Sequence, residues 1–74
     1  MPPVAETESP GERLRLLRTS AGLTQAALAA QMAKHGWLQS TVAKIEGGAR
    51  AVHADEAVSV ARLLGAPLDW AVAA

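Results

Sequence analysis

The side chains with the most chemistry to offer lie in one short run, Gln39-Ser40-Thr41-Val42-Ala43-Lys44-Ile45-Glu46. Leu38, Val42 and Ile45 fall at spacings of four and three, the period of a helix with one apolar face. At about 100° per residue, turning those three inward leaves Ser40, Ala43 and Lys44 on the opposite face and Gln39 at the N-terminal end. The chemistry of that face is hydrogen bonding rather than bond making. A glutamine amide matches the donor and acceptor pair on adenine, a lysine donates to guanine O6 and N7, a serine bonds to several base edges, and Ala43 permits close approach. A solvated helix surface uses the same residue types, so the face alone leaves both readings open. Nowhere do a nucleophile, a base and an orienting group share a recognisable spacing, and no enzyme is expected. His35 and His53 lack the spacing and neighbouring acids of a metal site, so they read as surface histidines, with neither metal nor cofactor expected.

A helix bearing such a face needs others to hold it. Half of the residues are hydrophobic, but the aromatics are two tryptophans, so the core falls to Leu, Val, Ile, Met and many alanines, a composition that favours helices over strands. Ser9-Pro10-Gly11-Glu12 sets a capping serine, a proline at the first helical position and a glutamate three residues after the cap, which starts a helix carrying Leu14 and Leu17 inward. Gly22 stops it. Thr24 caps a second helix through Leu28 and Met32 to about Lys34, and His35-Gly36-Trp37 makes the turn into the third, Gln39 to Glu46, which Gly47-Gly48 ends. A fourth helix, Ala54 to Leu64, opens on Asp55 and Glu56, where the dipole favours acids, and stops at Gly65. Pro67 opens a brief fifth through Leu68 and Trp70. The expectation is therefore an all-α, compact five-helix domain over residues 9–74 with a central helix-turn-helix, preceded by a flexible tail over residues 1–8.

The formal net charge is zero, yet its distribution is uneven. Residues 1–12 carry three glutamates, residues 13–50 carry a net +5, and residues 51–74 a net −2. A cationic middle between acidic ends is compatible with one basic face, and equally with an ordinary mixed surface. The absence of cysteine excludes a disulfide framework and a thiolate metal site without identifying a compartment. No stretch is long and apolar enough to span a bilayer and the N-terminus has no signal-peptide pattern, so a cytoplasmic location away from membranes is expected.

Leu23-Thr24-Gln25, Leu28-Ala29 and Gln39-Ser40-Thr41-Val42-Ala43-Lys44-Ile45-Glu46-Gly47, in this order, resemble the phage-repressor and Cro type of helix-turn-helix domain, the XRE family, over about residues 11 to 72. The resemblance implies a repressor-like regulator of double-stranded DNA, in a bacterial cytosol or encoded by a phage, with the third helix in the major groove. By position, it places Gln25 at the DNA backbone, bracing Gln39; it makes Gln39, Ser40 and Lys44 base readers and Thr41 a backbone contact; and it pairs Arg18 with Glu46 inside the scaffold. Arg50 takes a position often used for phosphate, with a solvated loop arginine as the alternative, and Arg13 and Arg15 are weaker candidates. A homodimer is expected, with half-sites about one helical turn, roughly 34 Å, apart. A toxin or other protein partner belongs to two rival readings, an antitoxin and an interaction module of the same fold.

Three departures from the pattern stand out. The stretch Ala33 to Leu38 is about three residues longer than the usual turn, so the second helix is expected to gain nearly one turn. Leu38 stands where a small polar cap is usual, and His53 stands where a serine usually caps the fourth helix. Trp37 could stack on DNA sugar, but packing in the turn is the better use of a large aromatic. Trp70, with Val72, is either core or a dimer surface.

Overall fold

Helix starts and the burial of one apolar side per helix organise this chain. A computed structural model describes residues 9–72, so the tail expected over residues 1–8 lies outside the described residues. Helix α1 runs Pro10–Ser20, and its start is the capping box read from the sequence: Ser9 Oγ accepts from the Glu12 N–H at 3.2 Å and Glu12 Oε1 accepts from the Ser9 N–H at 3.3 Å. Helix α2 runs Gln25–Gln31, capped by Thr24, whose Oγ1 accepts from the Ala27 N–H at 3.0 Å. Helix α3 runs Gln39–Glu46 and α4 runs Ala54–Leu64.

The lengthened turn does not extend α2 as an α-helix. A single 3-10 turn, Ala33–His35, follows Met32, with bonds from His35 N to Met32 O at 3.0 Å and from Gly36 N to Ala33 O at 2.8 Å. Gly36, at φ +76°, takes the left-handed conformation that lets the chain leave this tighter helix and swing Trp37 inward. The extra residues therefore carry an aromatic side chain into the core.

That core is continuous. Leu14 of α1, Leu28 and Met32 at the end of α2, Val42 and Ile45 of α3 and Val60 of α4 are almost wholly buried, with Trp37 and Trp70 closing its two sides. Helix α3 packs on both α1 and α2. It comes close to the first turn of α1, where a Cβ on Gly11 would lie 2.1 Å from the Ile45 carbonyl oxygen, so only glycine lets these backbones meet.

Two expectations are corrected. Leu38 does not join Val42 and Ile45 in the core: it is 67 % exposed, because it sits at the N-cap with extended backbone before the helical period begins. The fifth helix is absent among the described residues, which hold four α-helices and no strand. After Pro67 the chain makes four-residue turns, Trp70 N to Pro67 O at 3.1 Å and Val72 N to Asp69 O at 2.9 Å. The burial of Trp70 fixes the segment instead of a helical repeat. Trp70 is 5 % exposed and donates its indole N–H to the Ala57 carbonyl at 2.8 Å, which makes it core rather than a dimer surface. The Arg13 guanidinium donates to the carbonyls of Trp70 and Val72, tying the same segment to α1.

Candidate nucleic-acid interface

Helix α3 emerges from this packing with its polar side outward. Gln39, Ser40, Ala43 and Lys44 are exposed and Thr41 is half-buried. With Val42 and Ile45 buried, the side chains that project share one face, and it begins at the helix N-terminus. Thr41 also serves the helix start, where its Oγ1 accepts from the Leu38 N–H at 3.0 Å and satisfies a donor that no side chain from the cap position could reach.

The N-terminus of α3 is tied to α2, and its C-terminus to α1, through one chain of side chains. Gln39 Nε2 donates to Gln25 Oε1 at 2.9 Å, and Gln25 Nε2 donates to Glu46 Oε1 at 3.2 Å. Glu46 accepts two bonds from Arg18, from Nε at 2.6 Å and from Nη2 at 3.0 Å, while Arg18 Nη1 donates to the Leu23 carbonyl at 2.8 Å. Gln25, Gln39, Arg18 and Glu46 therefore form one connected network. A glutamate at a helix C-terminus is opposed by the dipole, and burial of Glu46 opposes its charge further. The bonds from Arg18 and Gln25 outweigh that burial and hold the Glu46 carboxyl below its ordinary pKa, while the bond to Glu46 raises that of Arg18.

Arg50 lies elsewhere. Its guanidinium donates from Nη1 to Glu56 Oε1 at 2.9 Å and from Nη2 to Glu56 Oε2 at 2.8 Å, with its carbon 6.0 Å from the centre of the Trp37 ring. Glu56 is 3 % exposed, and it also accepts from the Trp37 indole N–H at 2.8 Å and the His53 backbone N–H at 2.9 Å. Bonds from Arg50 chiefly, then from Trp37 and His53, overcome burial and bring its pKa down to about 2. The charge that the sequence offered to phosphate is thus compensated inside the domain.

This second cluster was not visible in the sequence. Asp55 and Glu56 read as dipole partners of α4, and nothing in the spacing links Trp37 or Arg50 to Glu56. The three-residue step from His53 to Glu56 was the available signal, since it is the span of a capping box without its hydroxyl. His35, expected at the surface, is half-buried, with Nε2 2.8 Å from Ser59 Oγ and Nδ1 3.7 Å from Asp55. It joins the 3-10 turn to α4. Among the described residues Arg15, Lys34, Lys44 and Arg62 have no ion-pair partner, and Arg15 is near enough to Glu46 to act on its charge.

Two helices joined by a turn, the second exposing a polar face and its N-terminus, on a small helical domain, define the helix-turn-helix class. The chain matches the family model of the helix-turn-helix domain over residues 11–71 and belongs to that family. Comparison with curated proteins and with solved structures gives no match. No helix of the described residues is long and apolar enough to cross a membrane.

Proposed function

We propose that this protein is a sequence-specific regulator of transcription, acting as a repressor by occupying double-stranded DNA with α3 in the major groove. The observation that carries the reading is the exposed row of Gln39, Ser40 and Lys44 at the front of a helix whose other side is locked into the core. A major groove admits one such helix, and its base edges offer partners to all three side chains. Gln25 and Thr41 flank the row where a DNA backbone would run. Arg50 is assigned to the scaffold, leaving Lys44 on α3 itself and Arg15, which acts on the charge of Glu46, as candidate phosphate partners.

The proposed unit is a homodimer in the cytoplasm, recruiting no cofactor and performing no catalysis. Leu16, Leu68 and Val72 are each more than half exposed, and Leu16 borders a shallow depression with Arg13, Leu17 and Trp70. This apolar surface is the candidate contact between copies, replacing the Trp70 surface. Selection from random duplexes tests the reading: wild type enriches one sequence, and Gln39→Ala or Lys44→Ala each costs about 1 to 3 kcal/mol at a single base position. Equal binding of the selected site by wild type and a Gln39/Lys44 double alanine variant refutes it.

A further inference from the structure

Resting on the reading of α3 as a base-reading helix, we propose that Glu46 is a positioning residue for base selection: its carboxylate sets the polarity of the Gln25 amide, and through it that of Gln39, so that Gln39 favours adenine over guanine. The polarity follows from which groups can donate. Arg18 has only donors, and an ionised carboxylate has only acceptors. Glu46, gripped twice by Arg18 and 6 % exposed in its side chain, therefore presents an acceptor to Gln25, which must turn its NH2 group toward it at 3.2 Å. The Gln25 carbonyl oxygen is then left facing Gln39, which must turn its own NH2 group inward at 2.9 Å.

Gln39 is left with a carbonyl oxygen and one N–H. Adenine offers the complement in the major groove, an N6 donor beside the N7 acceptor. Were the Gln25 amide reversed, Gln39 would turn its carbonyl inward and present only N–H groups, which match the two acceptors of guanine, O6 and N7. Glu46 reaches no base itself. It selects between the two orientations of an amide that does.

The experiment starts from the DNA sequence selected by the wild-type protein and compares duplexes with A:T or G:C at the position that responds to Gln39→Ala. Wild type is expected to prefer A:T by about tenfold or more. In Arg18→Met/Glu46→Met, which replaces the buried pair by apolar side chains of similar length, that ratio is expected to fall to within about threefold, with preferences at other positions unchanged. A second variant, Gln25→Glu/Glu46→Gln, moves the carboxylate next to Gln39; it is expected to bind every duplex more weakly, because residue 25 flanks the DNA backbone, but to keep the A:T to G:C ratio. Melting curves establish that each variant is folded. Side-chain amide NMR of the free protein supplies a readout without DNA: the Gln25 and Gln39 amide protons are expected to exchange slowly in wild type and as rapidly as free glutamine in the Met pair.

An unmoved A:T to G:C ratio in the folded Met pair overturns the proposal, as does a loss spread evenly over all positions. Wild-type Gln25 and Gln39 amides that exchange like free glutamine overturn it whatever the DNA shows. A protein that enriches no sequence overturns the reading of α3, and base selection by Glu46 with it; enrichment with an unmoved ratio overturns the role of Glu46 alone.

Discussion

Acid should unfold this domain through Glu56, and the size of the effect follows from its surroundings. The folded carboxyl titrates at about 2 against an ordinary 4.5, and its side chain is 4 % exposed, so solvent screening removes little of the difference. Each pH unit of displacement is worth about 1.4 kcal/mol, which gives about 3 kcal/mol of stability. The sign follows from the direction: a lowered folded pKa means the contribution is fully present above pH 4.5 and is lost as pH falls toward 2. A domain of this size has net stability of only about 3 to 5 kcal/mol, so the loss is most of what it has. The assay is urea unfolding followed by the fluorescence of Trp37 and Trp70, both buried, from pH 7 to pH 2.5 with sucrose present to keep the fold populated. Glu56→Gln is expected to be less stable than wild type by about 3 kcal/mol at pH 7, with the gap closing by about 2 to 3 kcal/mol by pH 2.5. The pKa of Glu46 is lowered too, but any titration of Glu46 is common to both proteins and cancels from the gap. A gap that stays constant between pH 6 and pH 2.5 refutes the assignment of Glu56 as an ionised, buried anchor.

Three further perturbations separate scaffold from interface. Arg50→Lys keeps the charge but loses the two-pronged grip on Glu56; it is expected to lower the melting temperature and leave the salt dependence of DNA binding unchanged, whereas a phosphate contact weakened by the change would make the slope shallower by up to about one. Leu38→Ser is expected to stabilise the domain by about 1 kcal/mol, because it supplies the missing cap of α3 and removes a side chain already 67 % exposed; an unchanged or lower midpoint in urea counts against it. Gly11→Ala improves helix propensity by about 1 kcal/mol but drives a Cβ to 2.1 Å from the Ile45 carbonyl, so net destabilisation is expected, and a raised melting temperature contradicts the close approach.

The bounds of α3 and α4 were legible because periodicity and the glycines that end both helices, Gly47 and Gly65, act within one turn of sequence, and the same locality explains the misses. Leu38 obeys the spacing of Val42 and Ile45, but a periodic pattern does not register that its backbone is extended and its side chain has left the helical row. Pro67 is a good helix start, yet Trp70 docks onto α4 instead, a tertiary contact that the local pattern does not show. The ties among Trp37, Arg50 and Glu56 join three separate elements and have no local signature at all. At the interface the outward face of α3 could be read from its period, whereas the fate of Arg50 could not, because charge counting does not reveal which cations are already answered.

That distinction changes what the net +5 of residues 13–50 means. Arg18 is neutralised by Glu46 within the segment, and Arg50 by Glu56 from outside it. Each arginine carries a charge that would serve phosphate, and each is placed where it holds an element of the helix-turn-helix: Arg18 fixes the end of α3, and Arg50 fixes the loop that leaves it onto α4. If α3 reads DNA as proposed, these two charges hold the reading helix rather than add to nonspecific attraction. Since nonspecific affinity rises with the number of phosphates neutralised, committing these two arginines would, on the proposed reading, leave more of the binding to Gln39, Ser40 and Lys44. Its binding is expected to weaken only shallowly with salt, and its specificity to be lost abruptly when the helix is loosened.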